Sequence, residues 1–273
     1  VSPSAADAPA PAEPVRQPRS ALLEVSRLHV RFGGVTAVDG LSFSVAPGEI
    51  LSVIGPNGAG KTSAFNCVTG FYKPAGGRVV FDGVDITGAR PSSIAARGVS
   101  RTFQNLRLFH NLPVLDNVKS GMHTRIDERF WDALLHTPRY RRVERACDEE
   151  AVRLLDFVGY RGRRGWLVKQ LPYGEQRRVE IARALATRPR MLLLDEPGAG
   201  LNHSEKAELL VLVRRIRDAG VAVALIEHDM GLVMEVSERV VVLDHGREIA
   251  DGPPAAVRRD PAVVEAYLGT GDD

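Results

Sequence analysis

Cysteine is nearly absent from this chain: its 273 residues include only Cys67 and Cys147. Two cysteines so far apart provide neither a disulfide framework nor a zinc-type ligand pair. A reducing cytosol is the expected setting. Long apolar runs are missing too. The longest, residues 191–194 and 221–226, fall far short of the ~20 residues that a membrane-spanning helix needs. Residues 1–20 (VSPSAADAPAPAEPVRQPRS) have no apolar central stretch, so no secretory leader is expected. Rich in Pro, Ala and Ser, they read as a disordered tail. Nor does one charge dominate. Lys plus Arg total 36 against 34 Asp plus Glu, a formal net charge of +2, which excludes nucleic-acid binding by bulk charge. What is present is a 44% hydrophobic, 26% charged composition, the balance of an ordinary globular domain.

Residues 28–32 and 41–45 alternate apolar and polar side chains, as half-buried antiparallel strands do. Residues 50–54 (ILSVI) are almost continuously apolar, the mark of a central strand covered on both faces. Residues 191–194, 221–226 and 240–243 read the same way. A helical pattern of Leu209, Leu210, Leu212, Val213 and Ile216 opens with the capping box Asn202-His203-Ser204-Glu205 and stops at Gly220. Another joins Val143, Cys147, Ala151, Leu154 and Val158, which places Cys147 in a core. The middle of the chain has few strand candidates. The expected organisation is one α/β domain over 21–272. Its nucleotide core spans about 21–87 and 186–250, a helical subdomain about 88–185, and a C-terminal extension 251–273.

Gly55-Pro56-Asn57-Gly58-Ala59-Gly60-Lys61-Thr62 directly follows the buried strand 50–54 and opens a helical stretch. Glycines let such a loop curl closely enough for successive backbone N–H groups to point at phosphate oxygens. The positive end of the following helix adds to the attraction. Lys61 is placed to neutralise the β and γ phosphates, and Thr62 to ligate Mg²⁺. The apolar run 191–194 then delivers Asp195 and Glu196 to a strand end. Asp195 can hold the Mg²⁺ shell, and Glu196 is placed as a general base for the attacking water.

The segment 171–185 (LPYGEQRRVEIARAL), just before that acidic strand, resembles the signature segment of ABC-type ATPases. Other motifs of that family follow its order over residues 22–250. Phe32 resembles the aromatic that stacks on adenine. Gln104 in Arg101-Thr102-Phe103-Gln104 matches the Q-loop glutamine. Ala199-Gly200-Leu201-Asn202 matches the D-loop, and His228 in Ile226-Glu227-His228-Asp229 the switch histidine. The C-terminal PAVVEAYLG, the Tyr173-Gly174 pair and the Arg-rich insertion 125–142 resemble the ATP-binding subunits of branched-chain amino-acid importers, in particular the longer, LivG-type one.

The resemblance implies a P-loop (RecA-like) ATPase core with an antiparallel β subdomain and an inserted helical subdomain. It implies ATP and Mg²⁺ as ligands, with Glu196, His228 and Gln104 catalytic and Thr62, Gln104 and Asp195 at the metal. Phe32, Gly55, Asn57, Gly58, Ala59, Gly60, Lys61, Thr62 and Ser63 would contact the nucleotide in one chain. Pro172, Tyr173, Gly174 and Glu175 would contact it from the other chain of a head-to-tail pair. Implied partners are a second, related ATPase subunit, two membrane permeases and, indirectly, an external binding protein. The groove meeting the permeases would be lined by Leu106, Leu108, Phe109 and Leu112. The implied place is the cytoplasmic face of a bacterial inner membrane, with no nucleic acid bound. Urea-uptake and lipopolysaccharide-export ATPases are similar in type. A nucleotide-gated scaffold is the non-enzyme alternative, and intact Glu196 and His228 argue against it. One departure stands out: Pro172 occupies the place of the family's signature serine and offers neither hydroxyl nor N–H.

Overall fold

The computed structural model describes residues 21–123 and 138–268. The expected tail 1–20, residues 125–137 of the insertion and the end of the C-terminal extension lie outside the described residues. The chain opens with β1 (Leu23–Phe32), β2 (Val35–Val45) and β3 (Ile50–Ile54), then helix α1 (Lys61–Val68). Strands β4 (Gly76–Phe81) and β5 (Val84–Asp85), helix α2 (Pro91–Ala96) and strand β6 (Val99–Arg101) follow. Next come helices α3 (Val114–Ser120), α4 (Pro138–Phe157) and α5 (Tyr173–Leu185). Strand β7 (Met191–Asp195) leads into α6 (His203–Asp218), β8 (Ala222–Ile226) and α7 (Met230–Val236). The chain continues through β9 (Arg239–Asp244), β10 (Arg247–Gly252), α8 (Pro254–Val257) and α9 (Pro261–Leu268).

Two sheets result. One is antiparallel, ordered β2-β1-β4-β5; the other has six strands ordered β10-β9-β3-β8-β7-β6, parallel except for β10. Every residue of β3, β7 and β8 is buried, as strands covered on both faces should be. Their side chains divide by the two-residue period of a strand. Ile50, Leu192, Leu194, Val223 and Leu225 pack with helices α3 to α6 on one face. Leu51, Val53, Met191, Leu193, Ala224 and Ile226 pack on the other with α1 and the antiparallel sheet. The molecule is therefore layered, and the parallel strands all end along one edge.

Helix α6 begins where the capping box predicts. Asn202 Oδ1 accepts the Glu205 N–H at 3.0 Å, and Glu205 Oε2 accepts the Asn202 N–H at 2.9 Å. The buried stripe is Cys147, Ala151 and Leu155 in α4 and Val158 just after it, with Leu154 only half-buried beside it. The interval expected to be a helical subdomain, 88–185, contains a strand of the main sheet: β6 pairs in parallel with β7, Val99 opposite Met191. Three residues are too few for alternation to register, and only Val99 of them is fully buried. Among the described residues no helix is long and apolar enough to cross a membrane.

Candidate active site

The phosphate-loop sequence leaves β3 at Gly55 and enters α1 at Lys61. Two of its glycines are demanded by close approach. A Cβ on Gly55 would lie 2.0 Å from the Leu243 carbonyl oxygen, and one on Gly60 would lie 2.3 Å from that of Ala37; both have positive φ. The loop is thus wedged between the ends of β9 and β2. Asn57, Gly58 and Thr62 are exposed, Ser63 and Gly60 half-buried, and Ala59 buried. Lys61 is only 8% exposed. Its Nζ donates to the Gly55 and Pro56 carbonyls at 2.7 and 2.8 Å. Burial pulls its pKa down, against the pull of the Glu196 and Asp195 carboxylates.

Asp195 ends β7 beside Arg101, which ends β6. Arg101 Nη2 donates to Asp195 Oδ2 at 2.6 Å, and Nη1 reaches Asn66 of α1 and its C-cap Thr69. In sequence, Arg101 stands within the motif Arg101-Thr102-Phe103-Gln104 with nothing to mark a role of its own. Only the β6–β7 pairing reveals its partner.

Glu196 follows with a left-handed backbone, φ +46°, which costs on the order of 1 kcal/mol for a non-glycine residue. Its N–H donates to the Ile226 carbonyl at 2.9 Å. Its Oε2 accepts from Gln104 Nε2 at 2.9 Å and lies 3.7 Å from His228 Nδ1. Three segments that follow β6, β7 and β8 therefore bring Gln104, Glu196 and His228 together. This is the edge where open α/β sheets bind their ligands. His228 is 60% exposed. Beneath it lies Glu227, 1% exposed, whose Oε1 accepts the Gly198 N–H at 2.7 Å. Burial pushes the Glu227 carboxyl up, while the N–H donors oppose this. Glu227 thus ties the backbone at Gly198, which leads into residues 199–202, to the segment carrying His228, a contact that its sequence neighbours do not announce.

Among the described residues, no hydrogen bond or ion pair joins residues 172–175 to the phosphate loop. Pro172 is the N-cap of α5, with φ −56° and ψ 154° and no side-chain cap. A Cβ on Gly174 would lie 2.4 Å from Glu205 Oε1, so this glycine packs directly on the start of α6. Glu175 accepts the Arg161 N–H at 3.3 Å, and Tyr173 is 40% exposed. Phe32 ends β1, 45% exposed, edge-on to Tyr72 with ring centroids 5.1 Å apart. Beside the Q-loop, an open groove is lined by Phe109, Leu112, Gly121, His123 and Arg183. Leu108 belongs to the core instead, at 6% exposure.

The site's donors suit a hard cation shared with phosphate: the Thr62 hydroxyl, the Asp195 carboxylate and the Gln104 amide oxygen, whose nitrogen is occupied by Glu196. Among the described residues no cluster of three or more His, Cys, Asp or Glu residues could hold a metal without such help.

Residues 38–199 match the ABC transporter family, and residues 247–273 match a family described as branched-chain amino acid ATP-binding cassette transporter. The high-affinity branched-chain amino acid transport ATP-binding protein BraF of Pseudomonas aeruginosa is 47% identical over 249 residues, 91% of this chain and 98% of that protein. LivG of Escherichia coli K12, of the same description, is 43% identical with the same coverage. Among solved structures, a nucleotide-free ATP-binding cassette from an ABC transporter has a TM-score of 0.79 and 31% identity, over 90% of this chain and 98% of that one. Strand ends, motif order and likeness along the whole cassette lead to one assignment: the chain belongs to the ATP-binding cassettes of the ABC transporter family.

Proposed function

We propose that this ABC transporter ATPase powers uptake of branched-chain amino acids, at the cytoplasmic face of a bacterial inner membrane. It would work as one of two unlike cassettes beneath a pair of permeases served by an external binding protein. The observation that carries the cargo is the likeness to BraF and LivG, which spans 98% of each of those proteins.

In this reading the N–H groups of residues 58–62 and the Lys61 ammonium cradle the phosphates, and Phe32 stacks on adenine. Mg²⁺ would sit on Thr62, Asp195 and Gln104 and would supply charge neutralisation to the β and γ phosphates. Glu196 accepts a proton from the attacking water as the water oxygen bonds to the γ-phosphorus. The bond from that phosphorus to the β–γ bridging oxygen breaks, giving ADP and phosphate. Gln104 holds Glu196 in place through its 2.9 Å hydrogen bond. The exposed His228 is placed to steady the γ-phosphate. Residues 172–175 act on the nucleotide of the partner chain, where Pro172 has no donor to offer. The groove at Phe109 and Leu112 receives a permease.

Uptake of labelled leucine, isoleucine and valine tests the cargo. Cells lacking this chain should lose it, and wild type but not Glu196→Gln should restore it. Normal uptake of all three, with loss of urea uptake instead, would overturn the cargo assignment.

A further inference from the structure

The guanidinium of Arg177 sits in an arrangement to which the roles above assign nothing. Arg177 lies one turn into α5 and is 1% exposed. Its Nη1 donates to the Phe103 carbonyl at 2.9 Å and to Glu180 Oε2 at 2.8 Å. Its Nη2 donates to the Gln104 carbonyl at 3.1 Å and to the Tyr173 hydroxyl at 2.7 Å. One side chain of the signature helix thus grips the backbone that carries the Gln104 amide. Glu180, on the next turn, takes the Arg107 N–H at 3.2 Å, so the Q-loop is held on both sides of Gln104. Tyr173 extends the strut in the other direction. Its ring packs on the D-loop, where a Cβ on Gly200 would lie 3.1 Å from it.

Burying a guanidinium is costly unless its donors are satisfied; here both terminal nitrogens are, while Nε has no partner among the described residues. An apolar side chain would fill the same space without that cost. Four convergent bonds, two of them to main-chain carbonyls of a single loop, need the planar fork of arginine; a lysine ammonium cannot span them.

We propose that Arg177 is a positioning residue that registers Gln104, and through it Glu196, to the signature helix. Any shift of α5 against a nucleotide held by the partner chain is carried by the guanidinium to residues 103–104. The Gln104–Glu196 contact shifts with them. The base in one site thereby responds to occupancy of the other. The inference rests on the proposed catalytic roles of Gln104 and Glu196.

The test is steady-state hydrolysis by the full chain in its assembled transporter, with the partner ATPase silenced by a base-to-amide substitution. Arg177→Lys keeps the buried charge beside Glu180 but not the fork. Its kcat should fall about tenfold, as for loss of a charge-assisted hydrogen bond, while KM for ATP stays within about twofold. In a Gln104→Ala background the same substitution should have no further effect, because what it positions is already gone. Tyr173→Phe removes only a hydroxyl from a partly exposed ring and serves if Arg177→Lys fails to fold; it should lower kcat about threefold with the same loss of effect. Equal effects with and without Gln104, or a normal kcat, overturn the proposal alone. A normal kcat for Gln104→Ala itself would instead overturn the catalytic reading on which it rests.

Discussion

Arg101 Nη2 and Asp195 Oδ2 lie 2.6 Å apart, with side chains only 4% and 5% exposed. The same guanidinium donates to Asn66 and to the C-cap Thr69 of the phosphate-loop helix and stands over the rings of Phe65 and Phe103. One buried cation therefore joins the acidic strand end, the helix behind the phosphate loop and the start of the Q-loop.

Removing that cation should leave a buried carboxylate without compensation. Arg101→Met is expected to lower stability by about 3–5 kcal/mol, whereas Arg101→Met with Asp195→Asn should recover most of the loss. Denaturant titrations of the three chains check this. Equal losses in the single and double variants would show that packing of the guanidinium, rather than its charge, matters there.

Glu196→Gln should keep ATP binding while hydrolysis falls by roughly two to four orders of magnitude, the contribution of a general base. Glutamine preserves an acceptor for Gln104 but cannot take a proton. Lys61→Ala should do the opposite, weakening ATP binding about tenfold or more through loss of a charge-assisted contact. A direct ATP-binding titration and a phosphate-release assay separate the two, and exchanged phenotypes would refute both assignments.

Pro172 caps α5 without a side-chain hydrogen bond. Pro172→Ser should add an N-cap, worth about 1 kcal/mol to the melting free energy. It should also add a donor for a nucleotide held across the interface. With Glu196→Gln in this chain silencing its own site, turnover by the assembled pair reports on the partner's site. An increase of about tenfold is expected if the new bond forms only on closure. A higher melting temperature with unchanged turnover would limit position 172 to starting a helix.

Lys206 and Asp229 pair at 2.6 Å between α6 and the N-cap of α7. The Lys206 hydrogen bond, with the N–H groups of α7, holds the Asp229 carboxyl below its ordinary value of 3.8. A depressed carboxylate pKa contributes stability above the ordinary value and loses it as pH falls through the folded one. The melting-temperature difference between wild type and Lys206→Met should therefore be present at pH 7 and shrink below about pH 4. A difference that persists unchanged to pH 2 would assign it to the packing of the lysine stem.

Much of the site was legible because its parts are local. The phosphate loop is contiguous, glycine-spaced and attached to a five-residue buried strand. Asp195 and Glu196 end another such strand, and the α6 capping box spans four neighbouring residues. Periodicity reports these directly, since burial on one or both faces dictates which residues a strand or helix tolerates. Short elements escaped it. β6 and β5 are three and two residues long, too few repeats of the two-residue strand period for alternation to register.

What the linear order determined, then, was the family, and with it the residues proposed here as phosphate cradle, base and metal-binding carboxylate. Tertiary structure decided which charges meet. Arg101 finds Asp195, Arg177 finds the carbonyls of residues 103 and 104, and Glu227 finds the N–H of Gly198. The partners in these pairs lie 94, 74, 73 and 29 positions apart along the chain. Any arginine or glutamate on a surface would read the same in sequence. Only the pairing of strands in one sheet and the packing of α5 against the Q-loop bury these groups, and burial is what makes each partner obligatory.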